Sequence, residues 1–121
     1  DANMFLLAVM DGEERPHGYA KLRTGTPNPS VTGPNPVELQ RLYVDRSAMG
    51  HGVGAALMRA SLDTARSASH RTLWLGVWER NARAISFYER WQFETVGDHD
   101  FRLGSDDQTD LIMARHLPGA A

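Results

Sequence analysis

The sequence contains no cysteine. That excludes disulfides and thiolate metal ligands, and it fits a reducing, cytoplasmic setting. It has a single lysine, Lys21, and no lysine follows any glycine cluster, so the phosphate loop G-x-x-x-x-G-K-S/T is absent. No apolar run approaches the about 18 residues of a membrane span. No basic stretch followed by an apolar one opens the chain as a secretory leader would, so no membrane association is expected. Charge of neither sign dominates: 13 Lys and Arg face 15 Asp and Glu, a net charge of −2, and no basic surface argues for nucleic acid. The five histidines, His17, His51, His70, His99 and His116, share no i, i+3 or i, i+4 spacing. No carboxylate cluster joins them, and no metal site is expected. A G-x-S-x-G nucleophile elbow is missing as well. The chain opens on Asp1 rather than Met, as a processed or trimmed chain would.

What is present suffices for one domain over residues 1–121: 41% apolar and 23% charged residues in 121 are ordinary for a globular protein with a single core. Met4–Met10 and Gly18–Arg23 read as an antiparallel hairpin, with Asp11-Gly12 beginning its loop. Thr24–Pro36 carries Pro27, Pro29, Pro34 and Pro36 and reads as a loop, since proline lacks an amide donor and disfavours helix before it. Glu38–Val44 is a central strand, with Leu39 and Tyr43 expected on one face and Leu42 and Val44 on the other. A helix follows from about Gly52 to Ser67, with Val53, Leu57, Ala60 and Thr64 as its apolar stripe and Ala56 beside it. Arg71–Trp78 is a second strong strand, so strand, helix and strand form a βαβ unit with a parallel pair. Asn81 caps a helix over Ala82–Arg90 whose apolar face holds Ala84, Tyr88 and Trp91, with Ile85 beside them. Phe93–Val96 and Leu111–Arg115 close the fold as antiparallel strands, joined by a polar connection over 97–110 that turns near Gly104-Ser105-Asp106-Asp107.

The chain is organised around Met49-Gly50-His51-Gly52-Val53-Gly54, between the central strand and the first helix. Glycine lets the backbone bend sharply and approach an anion. The first amides of a helix have no partner inside it and carry the positive end of its dipole. The spacing misses the dinucleotide fingerprint G-x-G-x-x-G, and no acidic residue ends the next strand about 20 residues on except Glu79. A second stretch, Asn81-x-x-Ala84-x-x-Phe87-Tyr88 followed by Gln92-Phe93, begins just after that strand. Together the two stretches resemble the GNAT acyltransferase superfamily, whose signatures are Q/R-x-x-G-x-G/A and N-x-x-A-x-x-F/L-Y followed by Gly-Phe. Two positions depart from the pattern: Met49 stands for Gln or Arg, and Gln92 stands for Gly.

The resemblance implies an α/β (α+β) fold with a mixed, mostly antiparallel sheet around a parallel βαβ pair, here without the family's first strand and the two helices after it. Those elements usually carry part of the acceptor site. The chain is therefore expected to be N-terminally short: either it is truncated, or a companion segment or a subunit, as in a homodimer, supplies them. It also implies an N-acetyltransferase that moves acetyl directly from acetyl-CoA to a primary amine on a small molecule or a protein. The cofactor would lie on Gly50, His51, Gly52, Val53, Gly54 and Ala55, with Met49 at the loop's first position. Its arm would run along the main chain of Leu42, Tyr43 and Val44, with Asn81 in contact. Glu38, eleven residues before Met49, matches the proton acceptor of the histone-acetylating branch, and Tyr88 matches the family's proton donor. Glu79 competes with Glu38. The alternative is a non-catalytic acyl-CoA-binding regulatory domain, which Met49 and the short N-terminus favour.

Overall fold

The computed structural model describes residues 3–9, 16–25 and 28–118. Six strands, β1 (Asn3–Val9), β2 (Pro16–Arg23), β3 (Pro36–Val44), β4 (Thr72–Trp78), β5 (Glu94–Leu103) and β6 (Asp106–His116), form one sheet in the order β1-β2-β3-β4-β6-β5. Only β3 and β4 run parallel, and between them lies α1 (Val53–Ser67), preceded by a short 3-10 turn, Arg46–Ala48. Helix α2 (Ala82–Arg90) connects β4 to β5. The element order and the mixed sheet are those expected. The β1–β2 turn, with Asp11-Gly12, lies outside the described residues.

Both helices pack on one face. The core there joins Leu22, Leu39, Leu73, Leu75 and Met113 of the sheet to Val53, Leu57, Met58, Leu62 and Ala65 of α1, with Ala84, Ile85, Phe87, Tyr88 and Trp91 packed against it. Burying each large apolar side chain contributes about 1.5–3 kcal/mol. The buried stripe of α1 is rotated from the expected one: Met58, Ser61, Leu62 and Ala65 are buried, Ala60 and Thr64 only half so, and Ala56 is exposed. The larger side chains win because they remove more apolar area from water. Ser61, drawn inward with them, donates its hydroxyl to the Leu57 carbonyl at 2.7 Å.

Strand β3 differs from a regular alternation. Lys21 pairs with Arg41 and Leu22 with Leu39, so Gln40 is an extra residue, a β-bulge. The bulge shifts the pleat by one position. Leu39, Leu42 and Val44 all join the core side, while Tyr43 turns to the opposite face and meets Tyr19 with ring centroids 5.8 Å apart. The expected pairing of Leu39 with Tyr43 is therefore wrong.

The last hairpin is longer than expected. Strand β5 continues from Glu94 to Leu103 and β6 begins at Asp106, so most of the polar connection is strand. Both faces of this outer hairpin meet water, and apolar alternation is not needed. Cross-strand polar contacts take its place, Thr109 hydroxyl to Asp100 at 2.6 Å and Arg102 to Asp107 at 3.1 Å.

Candidate active site

Strands β3 and β4 are hydrogen-bonded neighbours over three residue pairs only, Pro36 with Thr72, Val37 with Leu73 and Glu38 with Trp74. Beyond Glu38 they part. Strand β4 stays paired to β6 along its whole length, so its facing edge and that of β3 frame a gap. At the mouth of this gap the chain leaves β3, makes the 3-10 turn and enters α1. The result is an open cleft of about 570 Å³.

The floor of the cleft is the loop before α1. Gly50 and Gly52 have φ of 84° and 79°, the left-handed region that side chains with a Cβ resist. A Cβ at either position would meet nothing within 4 Å, so the backbone conformation, not space, demands glycine. The amides of Met49 and His51 donate back within the turn, to Arg46 and Ala48 at 3.3 and 3.2 Å. The first bond of α1 runs from the Ala56 amide to the Gly52 carbonyl at 3.0 Å. The amides of Val53, Gly54 and Ala55 thus have no acceptor within the helix, and the dipole of a 15-residue helix adds positive potential there. Gly54 lies against the Phe87 ring, 3.7 Å from where its Cβ would be.

Helix α2 forms the other wall. Asn81 caps it, its side-chain oxygen accepting from the Ala84 amide at 3.2 Å. Tyr88 lines the cleft and is half-buried, with its ring edge-on to Phe87 and Phe93 at 5.5 and 5.7 Å. Among the described residues its hydroxyl has no hydrogen-bond partner. Burial raises its pKa above the ordinary phenol value, because removing water disfavours the phenolate. Tyr88 is therefore a neutral proton donor across the physiological range.

The cleft brings together Leu42, Val44, Met49, Gly50, Gly52, Val53, Gly54, Ala55, Asn81 and Tyr88. Three expected site residues do not line it. Tyr43 does not, because it alternates with Leu42 and Val44 and its ring lies on the opposite face beside Tyr19. His51 is exposed outside the lining. Glu38 sits at the apex where the strands part; it is nearly buried, and Arg23 Nη2 and Nε donate to its Oε1 at 2.7 and 2.9 Å. Glu79 is exposed in the turn after β4, its amide donating to the Thr109 carbonyl at 3.0 Å.

Sequence reasoning missed Arg83, Phe87 and Arg90, which also line the cleft. Their spacing of four and three residues puts them on one side of α2, a signal that was available. Arg90 lies over the Phe87 ring at 6.0 Å. Two guanidinium groups facing a helix N-terminus make a site for a polyanion. Loop amides, helix dipole and arginines fit the diphosphate of a nucleotide cofactor, and the gap between strands fits a narrow, extended chain. Among the described residues no group of three or more His, Cys, Asp and Glu could hold a metal ion.

Comparison with known proteins identifies the family. The model of the acetyltransferase (GNAT) family matches residues 1–93. An uncharacterized N-acetyltransferase of Lactobacillus delbrueckii subsp. lactis is 34% identical over 115 residues, covering 95% of this chain and 65% of the relative. An uncharacterized N-acetyltransferase of Mycobacterium tuberculosis is 41% identical over 81 residues, covering 67% of this chain and 52% of the relative. The chain thus spans between about half and two-thirds of the length of these two relatives. The crystal structure of nourseothricin acetyltransferase superposes with a TM-score of 0.79 at 28% identity, covering 96% of this chain and 66% of that one.

Proposed function

The chain belongs to the GNAT acetyltransferase family, and from that premise we propose that it transfers acetyl from acetyl-CoA to a primary amine in this cleft. The observation that carries the reading is the meeting, in one cavity beside the edge of β3, of free helix amides and a desolvated tyrosine.

The amides of Val53, Gly54 and Ala55 would hold the diphosphate, with Arg83 and Arg90 supplying charge. The main-chain edge of Leu42, Tyr43 and Val44 would pair with the extended arm, as one strand pairs with another. Acetyl-CoA, when bound, supplies a thioester whose acetyl carbon an amine can take, forming C–N and breaking C–S. The Tyr88 hydroxyl would give its proton to the departing sulfur. Glu38, at the apex of the gap, would accept the proton of the amine through water. Met49 contributes no charge to the loop, since a thioether is only a weak acceptor, so backbone amides carry the binding there.

Calorimetry with acetyl-CoA, followed by thiol release over a panel of primary amines, tests this function. Saturable binding with turnover of at least one amine is expected. Binding without turnover across polyamines, amino sugars and peptides would make the chain an acyl-CoA-binding module instead. No binding would overturn both readings.

A further inference from the structure

A second cavity, of about 380 Å³, lies between the C-terminal half of α1, the end of α2 and β6, and shares only Arg90 with the cleft. Arginines from three elements converge on it: Arg59 and Arg66 from α1, Arg90 from α2 and Arg115 from β6. Against these four stands one carboxylate, Asp63, which meets Arg66 at 3.4 Å with 68% of its side chain exposed. An ion pair so open to water contributes little. Among the described residues, Arg59, Arg90 and Arg115 have no acidic partner.

The arrangement is held rather than incidental. Arg115 is pinned by two bonds to carbonyls, Nη1 to Trp91 at 2.8 Å and Nε to His116 at 3.2 Å. Arg59 lies over the Trp91 ring at 5.9 Å. Burial first, and then the nearby Arg66, lower the pKa of Arg115, because each disfavours its charged form. Gln92, also in the lining, holds a φ of 70°, where glycine would be unstrained. Its amide adds a neutral donor at the rim of a cationic pocket.

We infer that this pocket is a binding site for a small phosphate dianion, either inorganic phosphate or the phosphate of a monoester. Guanidinium forks match phosphate oxygens two at a time. A dianion offsets the repulsion among the arginines better than a single carboxylate could, and the volume leaves room beside Trp91 for a small substituent.

Titration of the full chain with inorganic phosphate, at fixed ionic strength and followed by NMR, tests the site. Saturable shifts are expected at the Gln92 side-chain amide and the Arg115 Nε–H. Arg66→Gln, at a partly exposed lining position, should move the midpoint to about tenfold higher phosphate. Arg102→Gln, which removes the same charge from the β5–β6 hairpin, should leave it unchanged. A parallel titration with phenyl phosphate separates the two sources: a lower midpoint than that of inorganic phosphate marks a monoester, an equal or higher one free phosphate. The inference fails if Gln92 and Arg115 show no saturable shift, if only amides of residues 50–55 respond, or if Arg66→Gln and Arg102→Gln behave alike.

Discussion

Replacing Tyr88 by phenylalanine removes one oxygen and one proton from the cleft and leaves the ring. The edge-on contacts with Phe87 and Phe93 at 5.5 and 5.7 Å survive. The hydroxyl has no hydrogen-bond partner among the described residues, so no partner is orphaned. Stability should therefore change by less than about 1 kcal/mol. Acetyl-CoA affinity should hold as well, since the amides and arginines are untouched. The chemical step should slow by about 10²–10⁴-fold, the contribution of a positioned general acid, equivalent to about 2.7–5.4 kcal/mol of barrier. Single-turnover measurement with excess enzyme isolates that step from product release. The pH dependence supplies an independent check. Because the native pKa lies above the ordinary 10.0, the donor keeps its proton past that pH, and the wild-type rate should fall on the alkaline side only beyond it. The same shift acts on stability. Above pH 10 the unfolded chain loses a phenol proton that the native state retains, so native stability falls as pH rises through the unfolded and then the native value. In Tyr88→Phe this part of the alkaline loss disappears. An unchanged single-turnover rate in the folded variant would show that Tyr88 serves packing alone.

Four further outcomes follow from the geometry. Gly52→Ala and Gly52→Glu should each cost about 1–2 kcal/mol through the left-handed backbone, but calorimetry should find acetyl-CoA binding abolished only by the glutamate; equal binding by the two would remove the diphosphate from this loop. Met49→Arg should tighten acetyl-CoA binding by about 1 kcal/mol, since Met49 lines the cleft at 47% exposure and a charge can reach the anion; weaker binding in a folded variant would mean the thioether packs against the ligand. Glu38→Gln keeps an oxygen for Arg23 but no longer takes a proton, and kcat/KM should fall about 10²-fold or more while urea denaturation shifts modestly; unchanged kinetics would reassign the acceptor. Gln92→Gly should relieve strain of about 1–2 kcal/mol against about 0.5–1 kcal/mol of added unfolded-chain entropy, a net gain of up to about 1.5 kcal/mol visible as a higher Tm, and a lower Tm would show that the Gln92 side chain itself holds the turn.

The sequence made the architecture legible because its signals were local. Glycines between a strand and a helix, an asparagine three residues before the amide it caps, and alternation in Leu73, Leu75 and Val77 all act within a few residues. The misreadings came from effects between distant segments. Leu39 joins Leu42 and Val44 on the core side because the β2–β3 register inserts Gln40, and a bulge is a property of two strands together. The stripe of α1 rotates toward Met58 and Leu62 because the sheet beneath accepts their volume. The outer hairpin hid because polar cross-strand pairs, such as Thr109 with Asp100, carry no apolar rhythm. Arg66 and Arg115, almost fifty positions apart in sequence, share a cavity only after β6 folds back beside α1.

The brief pairing of β3 with β4 has a mechanical consequence. The sheet is two leaves, β1-β2-β3 and β4-β6-β5, stitched by three residue pairs at one end and bridged by α1. The fault line runs through the middle of the sheet rather than along its rim, so its main-chain groups are shielded from other strands yet open to water. Amide protons beyond Glu38 on the facing edge of β3 should exchange quickly in the empty protein, while those of β2 with β3 and β4 with β6 stay protected. An extended ligand laid along the seam would act as a missing strand. It would join the leaves into one continuous ladder and slow exchange on both sides at once.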